Sequence, residues 1–117
     1  MTGVAETESV VERGMRSARQ LAAWVRRRFG EQLLEARVFG SVARGEATEG
    51  SDVDVFFLFS RRLTYDEKRE IAGAAFEIDM ENDTWTGWIA ETPERWGNPA
   101  IVGAGMIRAV ADEGVSV

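Results

Sequence analysis

The run Val53-Asp54-Val55-Phe56-Phe57-Leu58-Phe59 constrains this 117-residue chain more than any other segment. Its β-branched and aromatic residues favour a strand, and Phe56 to Phe59 are apolar on both faces, as in a central, covered strand. Two acids stand at its start. Side chains alternate along a strand, so Asp52 and Asp54 share a face, about 7 Å apart. Acids are depleted in strands, and a pair beside Phe56 and Leu58 needs a reason. Carboxylates at this spacing can share hard divalent cations, and Mg²⁺ favours one or two carboxylates plus substrate phosphate. Ten residues separate Asp52 from an upstream Gly40-Ser41 pair. That turn follows Val38-Phe39 and offers backbone N–H groups, a hydroxyl and a helix N-terminus to phosphate oxygens.

The fuller pattern is Gly-Ser-x-Ala-Arg-Gly followed by Ser-Asp-x-Asp, carried by Gly40, Ser41, Ala43, Arg44, Gly45, Ser51, Asp52 and Asp54. It resembles the signature of the minimal nucleotidyltransferases, a branch of the superfamily that includes DNA polymerase β. The resemblance covers roughly residues 36–117. It implies an α/β (α+β) nucleotidyltransferase fold, a small mixed sheet flanked by helices.

Composition narrows the chemistry. At this length the chain reads as one domain over 1–117. It has no cysteine and no histidine, so thiolate chemistry, the commonest general base and the usual zinc ligands are absent. Acid–base and metal work falls to carboxylates. The net charge of −6 argues against general nucleic-acid binding. No apolar run approaches a membrane span, and the N-terminus lacks the order of a signal peptide, so a cytoplasmic protein is expected.

Residues 1–8 read as a polar, frayed start. An N-terminal helix is expected over 9–29, with Ser9 and Glu12 forming a capping box and Gly30 at its end. Val11, Met15, Ala18, Ala22, Val25 and Phe29 make its apolar stripe. Arg26, Arg27 and Arg28 complement the dipole of its last turn; a phosphate or acidic-partner contact is the alternative. The catalytic core follows over 36–117. Its first strand spans 36–39, a short helix starts near Ser41, and a second strand spans 52–60. Thr64 and Glu67 form another capping box, opening a helix that runs to about Ala72. A third strand is expected over 76–83, with Phe76, Ile78 and Met80 on one face and Glu77, Asp79 and Glu81 on the other. Thr92-Pro93 and Asn98-Pro99 open helices. The last helix runs to Asp112 with Gly114 as its stop, and 115–117 form an edge strand.

The resemblance implies the rest. In the family a third carboxylate sits on the strand after the Asp-x-Asp strand, between aliphatic residues; Ile78-Asp79-Met80 fits, with Glu77 in reserve. Asp52, Asp54 and Asp79 are then the catalytic metal ligands for two Mg²⁺ ions, and Gly40, Ser41, Arg44 and Ser51 bind phosphate. The implied reaction moves a nucleoside monophosphate, AMP from ATP, onto a hydroxyl. Nothing in the chain is left over for an acceptor domain. The resemblance implies an antitoxin that modifies a HEPN-like toxin protein. The alternatives are a binding module acting by contact, or one subunit of a small-molecule nucleotidyltransferase. A homo-oligomer is open. The tryptophan-rich segment from Trp85 to Trp96 is the candidate docking surface, with helix 9–29 as the alternative.

Overall fold

In chain order the elements follow from local signals. The computed structural model describes residues 8–117; the frayed start expected for 1–8 lies, apart from Glu8, outside the described residues. Helix α1 (Val10–Phe29) begins at a complete Ser9–Glu12 capping box and ends at Gly30, whose φ is 59°. It buries Ala18, Leu21, Ala22, Val25 and Phe29. A 3₁₀ turn (Gly30–Gln32) leads into β1 (Leu33–Phe39), then α2 (Gly40–Ala43) and β2 (Val53–Phe59). Helix α3 (Tyr65–Asn82) starts at the Thr64–Glu67 capping box. Then come β3 (Thr86–Glu91), α4 (Pro93–Trp96), α5 (Pro99–Val102), α6 (Ala104–Glu113) and β4 (Val115–Ser116).

The sheet order is β3-β2-β1-β4. β1 pairs antiparallel with β2 and β4, and β2 pairs parallel with β3. The apolar run of β2 is therefore interior, as its sequence requires: Val53, Val55, Phe56, Phe57 and Phe59 are buried. One sheet face, with Val38, Val53, Val55 and Phe57, packs in a core with Leu21 and Val25 of α1 and Ile71, Ala74 and Ala75 of α3. On the other face Phe39, Phe56 and Val110 cluster with Leu58, Ile89 and Trp96. The Trp96 ring lies 4.3 Å from that of Phe56.

The expected third strand at 76–83 is a helix instead; α3 continues to Asn82. Phe76, Ile78 and Met80 do alternate, but Phe76 and Met80 are exposed. The buried set is Ile71, Ala74, Ala75 and Asn82, with Ile78 packed beside it. That spacing of three and four is a helical stripe, and it overrides a three-residue alternation. The third strand lies ten residues later than expected, at Thr86–Glu91. The last helix is also split. Gly103, at φ 95°, separates α5 from α6 as a turn residue.

Arg28 of the arginine run forms a two-pronged ion pair with Glu70 of α3, and Arg26 donates to the Val117 carbonyl. These contacts tie α1 to neighbouring elements, beyond the expected dipole role. No helix among the described residues is long and apolar enough to cross a membrane.

Candidate active site

Phe39 pairs with Asp54 across β1 and β2, so the end of β1 delivers the turn at Gly40 directly to the acid. Gly40 has φ 76°, a conformation costly for any residue with a Cβ. A Cβ placed there would collide with Oδ2 of Asp54 and come within 3.3 Å of its Cγ. The motif is thus an interlock: glycine is needed both to make the turn and to leave room for the carboxylate. Ser41 follows in the first turn of α2, where backbone N–H groups lack helical acceptors. Among the described residues its hydroxyl has no hydrogen-bond partner.

Asp54 is half-buried and Asp52, one residue before β2, is exposed. Burial pushes the Asp54 carboxyl up from the usual range, and the charge of Asp52 pushes the same way; Arg44 opposes both. Among the described residues neither acid takes part in an ion pair or side-chain hydrogen bond. A half-buried carboxylate with a like charge beside it and no ion-pair partner among the described residues favours a nearby positive charge. Asp52 and Asp54 are the donors that would hold a divalent cation if one bound there together with phosphate oxygens.

The two ions expected from the resemblance fit less well. β3 sits beside β2 with Gly87 paired to Asp54, so the neighbouring position on that face is a glycine. No group of three or more histidine, cysteine or acidic residues able to hold a metal occurs among the described residues. Asp79, expected as that third ligand, is engaged with other partners. It lies near the end of α3, which packs on the opposite sheet face. Its Oδ1 accepts from the Thr84 and Thr86 hydroxyls at 2.7 Å each, and its Oδ2 accepts the Thr86 amide at 2.8 Å. Glu77, the reserve, stands on the same helix and is exposed. Both placements share one cause. Extending α3 through residues 76–82 moves these acids from a strand beside β2 to a helix across the sheet.

The remaining predicted residues are placed as follows. The Ser51 hydroxyl accepts the Thr48 amide at 3.0 Å, and its own amide donates to the Thr48 carbonyl, closing the loop before Asp52. Arg44 donates to Glu46 and, with one nitrogen, to both oxygens of Glu113 at 3.0 Å. It clips α2 to α6 while leaving its field on Asp54. Sequence reasoning missed Gly87 and Glu113. Only the strand register and the return of α6 to α2 reveal them.

Comparison with known proteins agrees with this geometry. The nucleotidyltransferase domain family matches residues 18–93. A proposed minimal nucleotidyltransferase superposes with a TM-score of 0.63 at 20% identity, over 95% of this chain and 99% of that one. A proposed nucleotidyltransferase from Sulfolobus solfataricus gives 0.55 at 20% identity, over 93% and 86%. A toxin–antitoxin structure with AMP-PNP gives 0.58 at 17% identity, over 82% and 68%. Among curated proteins none matches the sequence. With its family match spanning most of the chain and the Gly40–Asp54 interlock in place, the chain belongs to the nucleotidyltransferase domain family.

Proposed function

We propose that the chain binds a nucleoside triphosphate, ATP in the first instance, with a divalent cation. It then transfers the nucleoside monophosphate to a hydroxyl on a partner protein, as the antitoxin of a toxin–antitoxin pair. The observation that carries this reading is the interlock of Gly40 with an Asp54 that has no ion-pair or side-chain hydrogen-bond partner among the described residues. A purely structural turn has no need to keep a half-buried carboxylate free.

Asp52 and Asp54 would hold a divalent cation together with phosphate oxygens, and the chemistry such an ion would supply is charge neutralisation at the triphosphate and leaving group. The Ser41 hydroxyl and the first amides of α2 receive further phosphate oxygens. The acceptor oxygen forms a bond to the α-phosphorus, the bond to the bridging oxygen breaks, and pyrophosphate departs with that electron pair. The hydroxyl proton leaves to solvent. Asp79 is engaged with Thr84 and Thr86 and takes no part. Positioning and charge neutralisation carry the rate.

The toxin–antitoxin structure with AMP-PNP supports a nucleotide and a protein partner. Labelled ATP, Mg²⁺ and the product of the neighbouring reading frame test the proposal together: the partner becomes heavier by whole nucleoside monophosphate units, and Asp54→Ala abolishes the shift. A second reading has its own support. Gly87 in place of a third carboxylate favours an antitoxin that acts by contact. Neutralisation of a toxic partner that persists in Asp52→Ala/Asp54→Ala, without any mass shift, selects it.

A further inference from the structure

The C-terminal half of α3 and the turn after it carry apolar side chains that no contact among the described residues explains. Phe76 is 65% exposed, Met80 70% and Trp85 74%. With Trp88 they line a groove of about 530 Å³ between α3 and β3, and β3 is an edge strand. At roughly 200 Å² for each large side chain, these exposures leave on the order of 400 Å² of apolar surface, near the largest patch of an ordinary monomer. That is about half of what one partner contributes to a stable interface.

The Trp85 backbone is braced. Its carbonyl accepts the Val53 amide at 2.8 Å, and Asp79 anchors Thr84 and Thr86 on either side. Asp83, the only non-glycine residue with positive φ among those described, turns the chain between α3 and Trp85. An exposed indole on a fixed turn loses little freedom when bound, which is the character of an interface anchor. Gly73 lies on the same side of α3, one turn before Phe76, and a Cβ there would meet nothing within 4 Å. Inside a helix such a glycine costs about 1 kcal/mol relative to alanine, and here it leaves a notch beside two large side chains.

Charge decides the occupant. From Glu70 to Glu94 the chain contains no lysine or arginine, and Glu77, Glu81 and Asp83 are exposed around the groove; Arg13 in the adjoining cleft and Arg16 beside Asn82 are paired with Glu49 and Glu8. A second copy would set these acids against their own counterparts. Phe76 and Met80 stand one helical turn apart, the spacing that grips a helix laid in a groove. Trp85 also lines the cleft that holds Gly50 and Ser51, so the groove continues to the loop before Asp52.

We propose that the groove of Phe76, Met80, Trp85 and Trp88 docks an amphipathic helix of a partner protein whose apolar face is flanked by lysine or arginine, beside the Asp52 loop. The inference rests on the reading that the chain acts with a second protein, but not on catalysis. The probe is a synthetic amphipathic peptide of about 18 residues, long enough to hold a helix, with leucine on one face and lysine on the other. Its twin carries glutamate in place of lysine. Titration into the labelled full chain without nucleotide is followed by amide and indole NMR shifts. The lysine peptide is expected to shift Trp85 and the 76–83 backbone, and the glutamate twin is not. Trp85→Ser weakens binding about tenfold or more, Glu77→Lys/Glu81→Lys weakens it further at low salt, and Leu34→Ser, on a different exposed apolar position, leaves it unchanged. Shifts centred elsewhere, or equal affinity for Trp85→Ser, overturn the proposal. Self-association lost in Trp85→Ser, without peptide binding, assigns the face to a second copy and also overturns it. Because no nucleotide is present, failure of the transfer reading leaves this result untouched.

Discussion

Replacing Gly40 by alanine should damage the fold and the site by one collision, and a double-mutant cycle with Asp54 isolates it. Two terms add in Gly40→Ala. The backbone sits at φ 76°, where a Cβ costs about 1–2 kcal/mol. The Cβ also overlaps Oδ2 of Asp54 and lies 3.3 Å from its Cγ, an overpacking expected to cost about 1–2 kcal/mol more. In Asp54→Ala the carboxyl is gone, and the nearest remaining contact is that residue's Cβ at 3.6 Å, an ordinary van der Waals distance. Gly40→Ala should therefore cost about 2–4 kcal/mol in the native background and about 1–2 kcal/mol in Asp54→Ala. Urea unfolding followed by circular dichroism, in chelator, measures both. Asp54 can escape the overlap by rotating. The coupling then shrinks, but the carboxylate leaves its place, and Mg²⁺-dependent ATP binding by calorimetry falls sharply. Penalties equal within about 0.5 kcal/mol, together with unchanged Mg²⁺–ATP affinity in Gly40→Ala, would refute the interlock.

Three further outcomes are expected. Asp54 has its proton affinity raised by burial and then by Asp52, so its charged form is penalised above that raised pKa, and the penalty fades as pH falls through it. Asp54→Asn should therefore raise the melting temperature in chelator at neutral pH, with the advantage vanishing on acidification; a lower melting temperature at pH 7 contradicts this. Asp79→Ala removes three hydrogen bonds from the turn before β3 and should cost about 1–3 kcal/mol. Nucleotide affinity of the folded variant should stay within about twofold, and a complete loss would return Asp79 to the metal site. Gly87→Asp places a carboxylate beside Asp54, where a Cβ meets nothing within 4 Å, and should tighten Mn²⁺ binding about tenfold by calorimetry or electron resonance. Unaltered Mn²⁺ affinity counts against Gly87 as the open position.

What a few neighbouring residues control was legible in the sequence. The capping boxes at Ser9 and Thr64 form as written, because each is closed within four residues. The apolar run of β2 is central because nothing else can cover both its faces. Asp54 faces away from the helical core because strand periodicity leaves no alternative. The tertiary structure decided what depends on distance and register. A short alternation at 76–80 yields to a stripe that begins at Ile71, since burial against α1 and β2 is worth more than local pattern. That one change carries Asp79 to a turn-bracing role and exposes Phe76 and Met80. The pairing of Gly87 with Asp54 follows from where α3 ends and β3 begins, and no residue near either one announces it. Arg44 meets Glu113 because α6 returns to α2, 69 positions along the chain. Local motifs specify the turn and the two acids; the packing of α3 against the sheet selects which other residues stand beside them.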